Sequence, residues 1–302
     1  MKVFVAGGTG TIGRPLVRAL VAAGHEVTAL TRSPEKAAHV RALGARAAVA
    51  DALDAEALAR VVLDAGPTHV IHQLTALPRE GIRRPEQLTP TNRLRDDGTR
   101  NLLAAAIRAG ACRLVAGSFA PLLGVPEDVP PGVREGVEAV RSMEAQVVDA
   151  TRQGLIEGVV LRYGLWYGPN NPATEKIAGL VRRRLMPVVR HDQGLLPWIH
   201  LDDVVAATVA ALDRGVPGAV YAIVDDLPAS MSDMVREIAR RSGAPRPIAL
   251  PAWVLRLASP YMAGFLSMRL ALSNDKARAD LGWRPAYPTF REGVSQLVLQ
   301  AA

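Results

Sequence analysis

Residues 2–13 read KVFVAGGTGTIG, and the fold can be worked outward from them. Lys2 to Ala6 is a valine-rich apolar run of the kind that forms a strand buried on both faces. Gly7, Gly8, Gly10 and Gly13 follow, and then RPLVRALVAAGHE repeats apolar residues at helical spacing. A buried strand, a glycine turn and a helix in immediate succession form the context in which such glycines hold the pyrophosphate of a dinucleotide. In that reading Gly7 permits the tight turn, Gly10 has no side chain to block the phosphates, and Gly13 lets the helix pack close to the strand. Thr11 and Ile12 complete the turn, and the phosphates lie at the helix N-terminus, where free N–H groups and the dipole favour negative charge. A tight turn without a ligand is the alternative for the glycines alone; the flanking strand and helix favour the cofactor.

The same rhythm continues through the N-terminal half. Strand-like runs at His25–Leu30, Arg46–Ala50, Thr68–Gln73, Cys112–Ala116 and Glu157–Tyr163 alternate with helical patterns at Pro34–Leu43, Asp54–Asp64, Asn92–Ala109 and Arg134–Arg152. Such alternation predicts an α/β fold: a doubly wound parallel sheet with right-handed crossovers and helices on both faces. After Tyr163 the rhythm breaks at GPNNP (168–172), and prolines punctuate the C-terminal third. The expected organisation is a nucleotide-binding domain over 1–165 and a smaller, mainly C-terminal substrate lobe over 166–302, with a strand and helix returning to the sheet near 195–224. Ligands of open α/β sheets lie at the carboxyl ends of the strands, so the cleft is expected there.

Composition narrows the class. With 49% hydrophobic and 22% charged residues the chain reads as globular, and no apolar run reaches the ~18 residues of a membrane span. Strand residues begin at once, with no leader pattern ahead of them, and Cys112 is the sole cysteine, so a cytoplasmic setting without an internal disulfide is expected. The net charge of +7 comes almost wholly from arginine. Apart from Arg182–Arg184 the arginines are scattered, and few aromatic residues accompany them, so nucleic acid is not the expected partner; a small molecule is.

The tip of the second strand selects between the two nicotinamide nucleotides. An acid there would bind the adenosine ribose and repel a 2′-phosphate; this chain has Thr31-Arg32-Ser33 instead. Arg32 can clamp a phosphate with two charge-assisted hydrogen bonds, which points to NADP. Asp51, after the third strand, is a candidate acceptor for the adenine amino group, or equally a carboxylate at a helix entry.

The motifs GGTGTIG, VIHQLTA, GTRNLLAAAIRAG, LRYGLWYGP, WIHLDDVVAATVAAL and LGWRPAYPTFREGV, in this order, resemble the extended short-chain dehydrogenase/reductase family, which includes nucleotide-sugar epimerases and dehydratases. The resemblance spans essentially the whole chain. It implies a Rossmann-type domain with the cofactor at Gly7, Gly10, Thr11, Ile12 and Gly13, and Leu74 and Thr75 along its path. It also implies a homodimer contact through the helices Asn92–Ala109 and Arg134–Arg152.

One departure bears on the chemistry. The family's catalysts use a tyrosine and, four residues later on one helix, a lysine that lowers the tyrosine pKa. Here the first tyrosine in the chain is Tyr163 and no lysine lies between Lys36 and Lys176; the two positions read as Gly136 and Val140. In AGSFAPLLG the usual hydroxyl position falls nearer Phe119 than Ser118. Ser118 and Tyr163 are therefore the best available hydroxyls for a catalytic role. His72, in an apolar strand, reads as a core histidine, and His200 with Asp202 and Asp203 as a strand end before a capped helix, so no metal is expected. The expectation is an NAD(P)-dependent oxidoreductase or epimerase/dehydratase-like enzyme of atypical catalytic type, moving hydride to or from a small carbonyl, alcohol or sugar-like substrate. The alternative is an NADP(H)-binding sensor without turnover.

Overall fold

The computed structural model describes residues 1–78, 82, 84–124, 131–258 and 260–299. The chain runs β1 (Lys2–Ala6), α1 (Gly13–Ala22), β2 (Glu26–Thr31), α2 (Pro34–Ala42), β3 (Arg46–Val49), α3 (Ala55–Ala65), β4 (His69–His72), α4 (Thr89–Arg108), β5 (Arg113–Phe119), α5 (Ala120–Leu123), α6 (Pro131–Arg152) and β6 (Glu157–Tyr163). It continues with β7 (Leu165–Tyr167), α7 (Pro172–Arg182), β8 (Val188–Val189), β9 (Trp198–His200), α8 (Leu201–Arg214), β10 (Val220–Ile223), α9 (Met231–Arg241), β11 (Ala249–Leu250), α10 (Ala252–Ala258), α11 (Pro260–Leu266), α12 (Asp275–Leu281) and α13 (Phe290–Leu299).

Seven strands form one parallel sheet in the order β10-β6-β5-β4-β1-β2-β3. Strand order reverses between β1 and β4, so the crevice beyond their carboxyl ends is the topological switch point where such sheets bind ligands. Both faces are covered, which is why the strands are continuous apolar runs rather than alternating ones. On one face Leu16 and Leu20 of α1, Val204 and Leu212 of α8 and Leu281 of α12 bury Val3, Val5 and Leu161. On the other, Leu58 and Val62 of α3, Leu102 and Leu103 of α4 and Val147 of α6 bury Phe4, Val70 and Leu114.

The lobe is built on two short parallel pairs, β7–β9 and β8–β11, with α7, α9 and α13. Leu196, Trp198, Met234, Ile238, Phe290 and Val294 form its core. Helix α8 and strand β10 pack on and join the main sheet, and α12 and Trp283 also pack there, which the proline-rich C-terminal sequence does not signal. Among the described residues no helix is long and apolar enough to cross a membrane.

Strand β5 exceeds its sequence expectation by three residues, because its pairing with β6 runs on to Phe119 opposite Tyr163. That extension matters for the site. Side chains alternate along a strand, so Ser118 shares the α6 side with Leu114 and Ala116.

Candidate functional site

The glycine turn lies at the switch point. Gly7 has φ +94°, and a Cβ there would come within 2.3 Å of the Gln73 carbonyl oxygen at the end of β4. Gly10 is exposed, and a Cβ on it would meet only the Gly7 oxygen at 3.3 Å; the space beyond is open. The role expected of Gly13 is corrected. A Cβ there would meet the Gly7 oxygen at 2.1 Å and Gly8 atoms at 2.8 Å, so Gly13 packs the helix onto the glycine loop. The close approach to a strand belongs to Gly8, whose Cβ would stand 2.6 Å from that of Ala29 in β2. Helix α1 starts at Gly13 with no side-chain cap at Ile12 and no acid in its first turn. Its first turn closes with the Arg14 N–H on the Gly10 carbonyl, and Thr11 and Ile12 precede it. The open cradle and the uncapped positive helix end fit a pyrophosphate.

At the tip of β2, Arg32 is exposed and has no hydrogen bond or ion pair among the described residues. Thr31 Oγ1 and the Ser33 amide bond to each other, and Ser33 Oγ donates to Glu35, so these hydroxyls shape the turn that presents Arg32. Asp51 Oδ1 accepts from the Leu53 amide at 3.0 Å, closing a turn before α3, whose cap is Asp54. One Asp51 oxygen is thus structural.

Leu74 and Thr75 follow β4 and are held from below by His72. The His72 ring is buried, and burial, with the nearby Arg95 charge, lowers its pKa to about 4. It is therefore neutral. Its Nδ1 accepts from the Leu74 amide at 3.2 Å, so Nε2 carries the proton and donates to Thr99 Oγ1 at 2.8 Å. Thr99 passes its own proton to the Arg95 carbonyl. This core histidine fixes the backbone that carries Leu74.

Ser118 and Tyr163, the two candidate catalytic hydroxyls, both have hydrogen-bond partners within the fold. Ser118 Oγ donates to Glu144 Oε1 of α6 at 2.6 Å, and Arg162 of β6 grips both oxygens of the same carboxylate, with NH2 to Oε2 at 2.6 Å. Tyr163 points the other way, toward α8, and is 1% exposed. It accepts from Gln73 Nε2 at 2.7 Å and donates to Thr208 Oγ1 at 2.8 Å, since that hydroxyl already donates to the Val204 carbonyl. Burial pushes the phenol up to about 12. Its proton and one acceptor position are thus engaged within the fold. Alternation along β5 and β6 decides both outcomes.

On α6, Gly136 is buried and Val140 fully so. Val140 and Val137 pack with Phe119, whose ring meets Trp166 edge-on at 5.6 Å. These residues form an apolar and aromatic wall at the carboxyl end of β5.

The other polar candidates are structural. His200 Nδ1 accepts from the Asp202 amide, capping α8, and burial lowers its pKa to about 4. Asp203 accepts from the Ala286 and Tyr287 amides and ties the C-terminal segment to α8. Arg182, Arg183 and Arg184 stand exposed at the end of α7. Among the described residues no group of three or more His, Cys, Asp or Glu could hold a metal. Sequence reasoning passed over Glu144 and Arg162, whose pairing only the strand–helix contact reveals, and Arg95, a charged residue on the buried face of α4.

The profile of the NAD dependent epimerase/dehydratase family matches residues 3–223. A 3-diazoavenalumate denitrifying reductase from a Streptomyces species is 39% identical, over 98% of this chain and 100% of the relative. A 2-alkyl-3-oxoalkanoate reductase from Stenotrophomonas maltophilia is 27% identical over 100% of both chains. Among solved structures, a UDP-glucose 4-epimerase from Thermus thermophilus in complex with NAD superposes with a TM-score of 0.77 at 25% identity, covering 99% of this chain and 98% of that one.

Proposed function

The chain belongs to the NAD dependent epimerase/dehydratase family and is an NAD(P)-dependent enzyme of the oxidoreductase or epimerase type, and from that premise we propose that it is an NADPH-dependent reductase of an aryl diazonium group. One observation carries this reading: the strand-end wall of Phe119, Val137 and Val140 offers no proton, and the nearby hydroxyls Ser118 and Tyr163 are both committed to protein partners. A carbonyl that accepts hydride becomes an alkoxide and needs a proton from a positioned acid. An arenediazonium does not. As it accepts hydride its C–N bond breaks, a C–H bond forms and N2 leaves, and the charges cancel with no proton moved.

The relative that removes nitrogen from a diazo compound supports the same class. Phe119 and Trp166 supply an apolar, π-rich wall suited to a cationic arene. When bound, the dihydronicotinamide supplies the hydride. Gly7, Gly10 and Gly13 with the start of α1 would hold its pyrophosphate, Arg32 its 2′-phosphate, Asp51 its adenine, and the segment Leu74–Thr75 its nicotinamide half. The aromatic wall and the buried Val140 keep water from the acceptor.

The test is turnover of 4-methoxybenzenediazonium with NADPH deuterated at C4. Deuterium at the former C–N carbon, from one face of the nicotinamide only, is the expected result, with a rate flat between pH 6 and 9. Cofactor binding without arene formation would instead favour the sensor. Arg32→Asp should shift the NADPH:NADH affinity ratio toward NADH by about tenfold or more; an unchanged ratio removes the NADPH assignment.

A further inference from the structure

Arg95 is a buried charged group that the function above leaves unexplained. It lies on α4 between Thr91 and Thr99, on the stripe that packs beneath the segment following β4: Thr91 Oγ1 accepts from the Ala76 amide and Thr99 bonds His72. The residue is only 6% exposed, and its NH1 is buried without a hydrogen-bond partner. Among the described residues no carboxylate neutralises it. Asp96 is taken by Arg100, Ser142 and Gln146, and Asp97 by Arg100. Glu144 is taken by Arg162 and Ser118. His72, its titratable neighbour, is neutral. One turn earlier, Asn92 also leaves its buried Oδ1 without a donor.

A guanidinium removed from water and given no counter-charge is strongly unfavourable, and desolvation alone lowers the Arg95 pKa to about 10. Such a group is retained where an anion completes it, and a planar fork matches a carboxylate best. The cofactor phosphates do not supply that anion, because their cradle is the turn at Gly10 and their 2′-phosphate partner is Arg32. We propose that Arg95 is the substrate-anchoring residue of this site and that the substrate is an aromatic carboxylate, bound with its carboxylate on the Arg95 guanidinium and its ring toward Phe119 and Trp166. Asn92 Oδ1 offers an acceptor for a substrate N–H or O–H on the same side. This deepens the diazonium reading and rests on it for the orientation of the ring, whereas the carboxylate contact is a binding event that can be measured without turnover.

The experiment is calorimetric titration of the NADP⁺-loaded protein with 2-naphthoate and with its neutral isostere 2-naphthamide. The wild-type protein should prefer the carboxylate by about tenfold or more. Arg95→Met should bring the ratio to about one, and Arg95→Lys, which keeps the charge and loses the fork, should fall between them. All three proteins should bind NADP⁺ within about twofold of one another, and thermal unfolding of Arg95→Met should occur no lower than in the wild type, since an unpaired buried cation is removed. No preference in the wild type, a preference that survives Arg95→Met, or a loss of NADP⁺ affinity in its place would overturn the proposal. A carboxylate preference without diazonium turnover would retain Arg95 as anchor and reject the diazonium reading alone.

Discussion

Replacement of Tyr163 by phenylalanine separates a catalytic phenol from a structural one. The ring fills a closed site against α8, so the substitution keeps the packing and deletes only the hydroxyl. Thr208 retains its donation to the Val204 carbonyl, whereas Gln73 Nε2 is left as a part-buried donor without an acceptor. An unsatisfied buried donor costs roughly 1–3 kcal/mol, which for a chain of this size lowers the melting temperature by a few degrees. Turnover should remain within about threefold of wild type, because no proton passes through the phenol. Thermal unfolding followed by circular dichroism, with steady-state NADPH oxidation on the same preparation, reads both quantities. Adding Gln73→Leu to Tyr163→Phe should recover part of the lost stability, since the two polar partners then disappear together and their coupling shows as non-additivity. A hundredfold fall in turnover with an unchanged melting temperature would refute this reasoning and return Tyr163 to the chemistry.

Further outcomes follow from the same geometry. Asp225 is 3% exposed with neither carboxylate oxygen in a regular hydrogen bond, and burial, reinforced by Asp226 and Asp203, raises its pKa to about 9. Its unfolded-state pKa is lower, so the native state binds the extra proton and stability declines as pH rises from about 4 to 9. Asp225→Asn should therefore gain stability over wild type by up to about 1.4 kcal/mol per pH unit across that window, read by urea unfolding at pH 5, 7 and 9; a pH-independent difference would contradict the assignment. Gly10→Ala should lower the melting temperature of the apo protein little and weaken NADPH binding by about tenfold or more, because the new methyl meets only the Gly7 oxygen at 3.3 Å and otherwise enters the open space proposed for the pyrophosphate. Gly13→Ala, facing the Gly7 oxygen at 2.1 Å, should instead lower the melting temperature, and equal behaviour of the two variants would count against the placement of the cradle.

The sequence by itself determined the sheet, the glycine cradle and the candidate phosphate clamp at Arg32. Those features rest on local periodicity: an apolar strand, glycines where a Cβ cannot fit, and a charged residue at a strand tip. That no tyrosine precedes Tyr163 and no lysine lies between Lys36 and Lys176 is likewise read directly. The fate of Ser118 and Tyr163 was decided only by tertiary structure. The partners that hold them are distant in sequence: Glu144, 26 residues from Ser118, and Gln73 and Thr208, 90 and 45 residues from Tyr163. Three extra residues of strand pairing at β5 set the faces on which these side chains emerge. Arg95 shows the converse. In sequence it is one of many arginines, and only the enclosure of its guanidinium, with every neighbouring carboxylate already paired, marks it as a charge awaiting a partner.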